Sequence, residues 1–573
     1  MEVVFTKKWK TLKLWLCLVA IYALYFEHFS REAFLAENKY TVKMLQNIEE
    51  FKQNWCRIRQ ARIDLHSLLK PCNYNISWNG DSPNRLLQTD ASQSFISFFD
   101  VRPAGQFSRF SIQTKARNGK LKLAGGDSWR VLLRGPATVS PTVFDHGNGT
   151  YEFLFLVMDP GVYKLDITLD YSLCDGYRDP PDDWFIVGNS HGKLQRNGFL
   201  GVNRARDDYL LQPFQKGKLI MINIPMPTNE GTYLMNRLLE SSDPLSSFDL
   251  SCRIKCNFMW DGFGRWLGRN WKSFLRRKLN YSCMVCSKVL SFFFIIPEKP
   301  LRINNRNKYV FMCYYYYRNA LARLPTSMTR GTLMNVSKLE TLWIFGDSNA
   351  ERMHVSIKDL LLCTKVFKSC NLSKMWVYPW PSVQPVAWDN KDFEPQQILD
   401  HIRGVLERPE MNSKKSAMIL NLGLHYIEST SFTNYKILLN GVLNLLNERN
   451  AETGEMKYKT HVIWKTTTSM NKEKDIGSRL KADWQRFLNL PRVRLYNAFA
   501  TSLMCQAGLE VLDVYPLTRS FPGGTGGPDV AHYKEHDTVH FKYYVMKPVH
   551  LFLEDYFTEK VPSPINLENY HFS

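Results

Sequence analysis

The sequence predicts an all-β sandwich followed by an α/β domain with a mainly parallel sheet and helices on both faces. Three observations support this prediction. Short alternating apolar runs separated by turns fill residues 92–171. Apolar runs that alternate with amphipathic helical stretches fill the chain from Lys338 onward. At 573 residues, the chain also exceeds what a single hydrophobic core usually supports.

Residues 1–29 are predicted to be a signal anchor or signal peptide. Four lysines precede the apolar stretch 14–26, which Glu27 closes. Basic residues before a short apolar run are typical of such segments. Since bulky residues occupy the place of a cleavage site, we expect an uncleaved type II anchor, and a buried N-terminal helix is the alternative. The protein is therefore expected in the lumen of the secretory pathway, as a Golgi type II membrane protein, or secreted.

Residues 30–80 have the polar, charged helical pattern of a stem that holds a folded body away from a membrane. Residues 81–175 are predicted to form the sandwich. Its predicted strands are 95–99, 107–115, 128–133, 151–157 and 162–169. The segment 145–151 contains two glycines and is predicted to be a tight turn that leads into a strand.

Residues 176–330 are predicted to be a cysteine-containing, basic connecting region. The basic aromatic segment 260–278 has two interpretations, a solvated helix with an apolar underside or a surface for an anionic sugar or membrane. The cysteines of the pairs Cys252/Cys256 and Cys283/Cys286 also have two interpretations: they form disulfides, or their four thiolates hold a zinc ion. We favour disulfides and expect no metal, because an oxidising lumen favours them.

Further features agree with a secreted or lumenal glycoprotein. Of twelve cysteines, eleven lie beyond the apolar N-terminal stretch, enough for several disulfides. Five glycosylation motifs are present, at Asn75, Asn148, Asn280, Asn335 and Asn371.

Residues 331–560 are predicted to form the α/β domain. The predicted strands are 342–345, 417–422, 462–463, 493–496 and 511–514, and the predicted helices are 349–362, 435–448, 478–488 and 543–556. Alternating buried strands and helices are typical of a parallel sheet that is covered on both faces. Such sheets hold their active sites beyond the carboxyl ends of the strands.

Ser348 is the candidate nucleophile. The apolar strand 342–345 runs directly into Gly346-Asp347-Ser348, and a helix is predicted to follow. This arrangement exposes the serine at a strand end, beside helix amides that can stabilise an oxyanion. A simple helix cap at Ser348 is the alternative.

A serine nucleophile needs a histidine base whose other ring nitrogen is held by a carboxylate. Asp537-Thr538-Val539-His540 supplies both groups within one turn. Asp529 and His532 have the same spacing and compete for the role. We favour the later pair because an aromatic residue and a predicted helix follow it.

The Gly-Asp-Ser segment at 346–348 and the Asp-x-x-His segment at 537–540 resemble the SGNH or GDSL hydrolase superfamily, specifically its PC-esterase branch. The sandwich, with Gly-Gly-Asp at 125–127 and the turn at 145–151, resembles the neurexophilin-type immunoglobulin-like domain. The two together, in this order, resemble the neurexophilin and PC-esterase domain (NXPE) family over residues 80–560.

This resemblance implies a glycan O-acetyltransferase with an SGNH-like domain and a triad of Ser348, Asp537 and His540, with sialic acid as a candidate acceptor. The superfamily also takes oxyanion donors from later loops, and Asn421 and Gly423 match that block best. An ordinary strand-end turn is the alternative there. No bound cofactor is expected, and acetyl-CoA is the candidate acyl donor.

The expected partners are a glycan or glycoprotein substrate and a membrane, reached through the N-terminal anchor. The net charge of +20 favours anionic partners. We expect no nucleic acid, since the sequence has neither zinc-finger spacing nor an RNA-binding aromatic motif. Two other functions stay open: a carbohydrate acetyl esterase with the same triad, and a non-enzymatic, neurexophilin-like secreted binding protein.

Overall fold

The computed structural model describes residues 46–78, 85–180, 208–227, 252, 256–274, 338–374, 395–475, 486–526 and 537–559. The predicted anchor at 1–29 lies outside these residues. Among the helices within them, none has the length and apolar character needed to cross a bilayer. They form an antiparallel β domain and an α/β domain, as predicted at that level.

The β domain is a sandwich of two antiparallel sheets. Its strands are β1 (Phe95–Asp100), β2 (Phe107–Gln113), β3 (Ser128–Arg134), β4 (Thr138–Val139), β5 (Thr142–Asp145), β6 (Thr150–Leu156), β7 (Gly161–Tyr171), β8 (Gln212–Pro213) and β9 (Ile220–Ile224). One sheet has the order β1-β2-β6-β5, and the other contains β4-β3-β7-β8, with β9 also paired to β7. Phe110 and Phe153 of the first sheet share one core with Val131 and Leu165 of the second.

The two glycine-bearing motifs of the sandwich meet in space. The amide of Gly126 donates to Asp145 at 2.7 Å, and the amide of Asp127 donates to the hydroxyl of Tyr151 at 2.9 Å. A Cβ at Gly125 would lie 2.3 Å from the Asp145 carboxylate. Glycine is therefore required at position 125 so that the aspartate can approach the backbone.

The segment predicted as a stem packs against both domains where it is described. Helix α1 spans 46–61 and inserts Phe51, Trp55 and Ile58 into the sandwich core. Beyond the sandwich, Arg59 and Arg62 pair with a buried aspartate of the α/β domain. The stem prediction is therefore wrong for 46–78, because the apolar face of this helix is buried and does not face solvent.

The α/β domain is built on six parallel strands. Strand β10 (Asn257–Asp261) comes from an earlier part of the chain and forms one edge of the sheet. The other five strands are β13 (Leu339–Gly346), β14 (Phe367–Lys374), β15 (Ala417–Leu420), β16 (His461–Lys465) and β17 (Glu510–Asp513). The order is β10-β17-β16-β15-β13-β14. Apart from β10, this is a doubly wound sheet in which the chain moves first to one side of β13 and then to the other.

Helices cover both faces of this sheet. They are α3 (Ser348–Ile357), α4 (Pro395–Leu406), α5 (Leu424–Ser429), α6 (Phe432–Leu446), α7 (Leu490–Gln506), α8 (Tyr515–Arg519) and α9 (Lys547–Glu559), preceded in the chain by the short α2 (Leu65–Leu69). Helices α4 to α7 pack on one face, and α3, α8 and α9 on the other.

The strand predicted at 493–496 is wrong, because these residues lie inside α7. Asn489 caps this helix by accepting from the amide of Arg492 at 2.9 Å, and a proline occupies its first turn. Since most of its residues are buried, the short apolar run looked like a core strand. The helix predicted at 478–488 lies mostly outside the described residues.

The region 176–330 is not a simple connection. Its described parts supply β8 and β9 to the sandwich and β10 to the parallel sheet, and then β11 (Gly264–Leu267) and β12 (Asn270–Ser273) extend the sandwich as β12-β11-β4. Trp266, predicted on a basic helix face, is fully buried in β11. Strand pairing and burial of aromatic side chains therefore replace the helix predicted there.

Disulfides tie these segments together. The described residues contain the pairs Cys56–Cys252, Cys72–Cys174, Cys256–Cys505 and Cys363–Cys370. The first and third use the cysteines of the zinc alternative, which is therefore wrong. Such bonds are compatible with an oxidising secretory compartment.

Candidate active site

The predicted nucleophile lies at the point where the parallel sheet reverses its order. Ser348 follows β13, whose two neighbours β14 and β15 are reached by connections on opposite sides. In doubly wound sheets, this reversal leaves a crevice beyond the carboxyl ends of the strands, where ligands bind. Ser348 is partly exposed there, whereas β13 itself is buried along most of its length.

Local sequence fixes the serine at this strand end. Asp347 caps α3 by accepting from the amide of Asn349 at 2.9 Å, so Ser348 is the first residue of the helix. A Cβ at Gly346 would lie 3.0 Å from both the Ala350 Cβ and the Asn421 carbonyl oxygen. Glycine thus allows the turn to pass close to the neighbouring strand.

The structure brings Ser348, His540 and Asp537 together. Ser348 Oγ lies 2.7 Å from His540 Nε2, and His540 Nδ1 lies 2.8 Å from Asp537 Oδ2. The other carboxylate oxygen of Asp537 accepts from the amides of Val539 and His540, each at 2.9 Å. The competing Asp529 and His532 lie outside the described residues.

The environment of Asp537 favours its charged form. Burial opposes ionisation, but hydrogen bonds from the His540 ring and from the two amides, together with the positive charge of that ring when protonated, outweigh it. The pKa of Asp537 therefore lies below its ordinary value. A carboxylate in this state holds the Nδ1 proton of His540 and leaves Nε2 to accept a proton from the serine.

A series of hydrogen bonds connects this aspartate to the β domain. Thr525 Oγ1 donates to the Asp537 carbonyl oxygen at 2.8 Å, and its amide donates to Asn471 Oδ1 at 2.8 Å. Asn471 Nδ2 in turn donates to Glu473, which also accepts from Arg130 of β3, each at 2.9 Å. The sandwich thereby supports the loop that carries Asp537 and His540.

The two predicted oxyanion donors behave differently. The side-chain amide of Asn421 donates to the Lys465 carbonyl oxygen at 2.8 Å and to Thr467 Oγ1 at 3.3 Å, so both of its protons are engaged. The Asn421 side chain therefore fixes the adjoining loop in this state and does not point a free donor at Ser348. This differs from the predicted oxyanion role.

The backbone amide of Gly423, unlike the Asn421 side chain, agrees with the predicted role of an oxyanion donor. The last residues that pair β13 with β15 are Phe345 and Leu420. Ser348 and Gly423 each follow these residues by three positions, so both come after the same edge of the sheet. Neither backbone amide donates to another residue that the structure describes.

A buried basic pair beneath this loop was not predicted. Burial lowers the pKa of Lys465 to about 8, although the nearby Asp347 opposes the shift. Burial and the Lys465 charge lower the pKa of His550, on α9, to about 4. The only sequence signal was a lysine that ends an apolar strand, which is also common at exposed strand ends.

Of the five glycosylation motifs, Asn75 and Asn148 are exposed in turns, and Asn371 is half-buried on the edge strand β14. Asn280 and Asn335 lie outside the described residues. Exposure at the first two is what attachment of a glycan requires.

The chain matches no protein-family model. Among solved structures, it is similar to the Lin-41 filamin domain, with 21% identity over 14% of this chain and 80% of that chain, at a TM-score of 0.13. It is also similar to invasin, a bacterial integrin-binding protein, with 17% identity over 14% of this chain and 17% of that chain, at a TM-score of 0.13. Both TM-scores are too low to carry an argument, so the fold is defined by the strands and helices themselves.

Proposed function

We propose that this chain is an acyl-ester enzyme of the PC-esterase type, a member of the NXPE family, that transfers acetyl groups to glycans. The observation that carries the proposal is the continuous hydrogen-bonded series from Ser348 through His540 to Asp537, at 2.7 and 2.8 Å. A helix cap alone would not require an imidazole from 192 residues further along the chain to contact the serine.

The proposed reaction has two half-reactions. His540 Nε2 takes the proton of Ser348 as the serine oxygen attacks the acetyl carbonyl, and it returns the proton to the leaving group. An acetyl-serine is left. A sugar hydroxyl then gives its proton to His540, attacks the acetyl-serine and carries the acetyl group away, while the serine recovers its proton.

The negative charge on the acetyl oxygen needs donors in both half-reactions. The amides of Ser348 and Gly423 have the required properties, since both lie past the same sheet edge and neither donates to a described residue. We assign the oxyanion role to these two amides. The Asn421 side chain is assigned a supporting role, because it fixes the loop that carries Gly423.

The resemblance to the NXPE family supports a glycan acceptor, and the net charge of +20 favours an anionic one such as sialic acid. Acetyl-CoA is the proposed donor. The four disulfides among the described residues agree with action in the lumen of the secretory pathway. Anchoring through residues 1–29 remains part of this proposal.

A fluorophosphonate probe tests the triad directly, because it labels only an activated serine. We expect label on the parent protein and none on Ser348→Ala. Ser356→Ala is the matched control, since Ser356 lies on the same helix and its hydroxyl donates to the Arg352 carbonyl oxygen at 2.7 Å. A parent protein that takes up no label would contradict the enzyme proposal and favour the binding-protein alternative.

A second measurement separates transfer from hydrolysis. With an acetyl donor, a transferase adds mass to a sialylated acceptor glycan. An esterase instead releases acetate from an acetylated glycan when no acceptor is present. Acetate release by the parent but not by Ser348→Ala, without acetylation of any acceptor, would replace the transferase proposal by the esterase.

A further inference from the structure

A cavity of about 120 Å³ lies between the β domain and the α/β domain, near the carboxyl ends of β16 and β17. The residues of the triad do not line it. Polar lining is supplied from both domains, by Ser128 and Thr142 of the sandwich and by Asn497 and Thr501 of α7. The cavity is therefore a separate feature of the fold, and it needs its own explanation.

Most of the charged groups around this cavity are already paired. Arg62 bonds to Asp513 at 2.8 Å and also to Asp261. Asp170 bonds to Arg130 at 3.0 Å. The two carboxylates that line the cavity, at 170 and 513, thus each have an arginine partner.

Two further arginines of the lining, Arg494 on α7 and Arg519 on α8, are left over. Within the described part of the chain, neither forms a hydrogen bond or an ion pair. Both act electrostatically on the Tyr515 hydroxyl, so the three groups lie near one another. Burial and the nearby Arg130 charge lower the pKa of Arg519, although Tyr515, Asp170 and Glu473 oppose the shift.

Both guanidinium groups are only partly buried, and two like charges beside one cavity repel each other unless an anion lies between them. A guanidinium offers a planar set of donors that matches a carboxylate or phosphate. The Tyr515 hydroxyl, which also bonds to no described residue, adds a further donor. The lining therefore has an excess of both positive charge and hydrogen-bond donors.

We propose that this cavity is a binding site for a small anion that carries a carboxylate or phosphate group, held by Arg494, Arg519 and Tyr515. The volume sets the size of the ligand. An engineered cavity of about 150 Å³ admits one benzene molecule, so the space here suits a ligand of similar or smaller size. Inorganic phosphate and acetate fit this limit, whereas a whole sugar acid or a nucleotide does not.

The test measures binding of inorganic phosphate and of acetate to the full chain by calorimetry, at constant ionic strength adjusted with NaCl. We expect saturable binding of at least one of the two anions. Arg494→Gln and Arg519→Gln should each weaken it by about tenfold or more, because each removes a charge-assisted hydrogen bond. Arg117→Gln is the matched control, since it removes one charge from an exposed turn of the sandwich.

Absence of saturable binding of both anions to the parent would overturn the proposal, and so would an equal loss of binding in Arg117→Gln. Arg519→Lys serves as a second variant if Arg519→Gln does not fold, and it should bind more weakly than the parent because the forked donor is lost. The proposal is independent of the esterase chemistry. Fluorophosphonate labelling of Ser348 in the same preparations therefore shows separately which of the two proposals fails.

Discussion

Replacing Asp537 by asparagine should abolish most of the reactivity of Ser348 while leaving the fold intact. One carboxylate oxygen of Asp537 accepts two backbone amides, and the other accepts the His540 ring at 2.8 Å. Asparagine has one oxygen and one amino group to offer at these two places. The two orientations of the new side chain therefore have different consequences.

If the oxygen of the asparagine stays on the two backbone amides, its amino group faces Nδ1 of His540. The opposite orientation would lose two hydrogen bonds, which contribute about 0.5–1.5 kcal/mol each. The first orientation should therefore dominate by about 1–3 kcal/mol. In that state Nδ1 must accept, the ring proton moves to Nε2, and His540 can no longer take the proton of Ser348.

Loss of the base in a triad by such a change of tautomer lowers the rate by about 10⁴-fold. The assay is the rate of fluorophosphonate labelling, with thermal unfolding measured on the same samples. Asp100→Asn, in strand β1 of the sandwich, is the matched control and should label at the parent rate. Labelling of Asp537→Asn within a few-fold of the parent would refute the assigned role of Asp537.

Three further outcomes are expected. Asp261→Asn should lower the free energy of unfolding in urea by about 3–5 kcal/mol, because it removes the buried carboxylate shared by the buried Arg59 and the partly buried Arg62, of which only Arg62 keeps its pair with Asp513. Its control is Glu340→Gln, which breaks an exposed pair with Lys368 and should lower the free energy of unfolding by less than about 1 kcal/mol. Gly346→Ala should lower the stability by about 1–3 kcal/mol and slow labelling, because its Cβ would meet the neighbouring strand at 3.0 Å; an unchanged melting temperature would contradict this. Between pH 6.5 and 5 the unfolded chain protonates His550 while the folded chain, with a pKa of about 4, does not. Stability should therefore fall by roughly 2 kcal/mol over that interval, and His550→Met should flatten the pH profile of the melting temperature.

The features that could be predicted from the sequence are local. An apolar strand that runs into Gly-Asp-Ser, and an aspartate three residues before a histidine, each occupy one short segment. The hydrogen-bond pattern within the 537–540 turn follows from that spacing. The catalytic role of these residues stays a prediction.

The features that were missed depend on contacts between distant segments. Arg59 pairs with Asp261, 202 residues away, and nothing near either residue indicates the other. The helix at 46–61 therefore looked like a solvated stem. Asn421 was predicted to be an oxyanion donor, but its side-chain protons bond to Lys465 and Thr467, at and after the end of β16, which only the folded arrangement brings near.

The crossing of the chain near residue 262 limits how the protein can be divided. Strand β10 belongs to the parallel sheet, and β11 begins three residues later in the sandwich. A fragment that starts at residue 331 would lack β10 and expose the backbone of β17, and it would leave Cys505 without its partner. Neither half is therefore expected to be a self-sufficient folding unit, and expression of the sandwich or the α/β half alone should yield aggregated material.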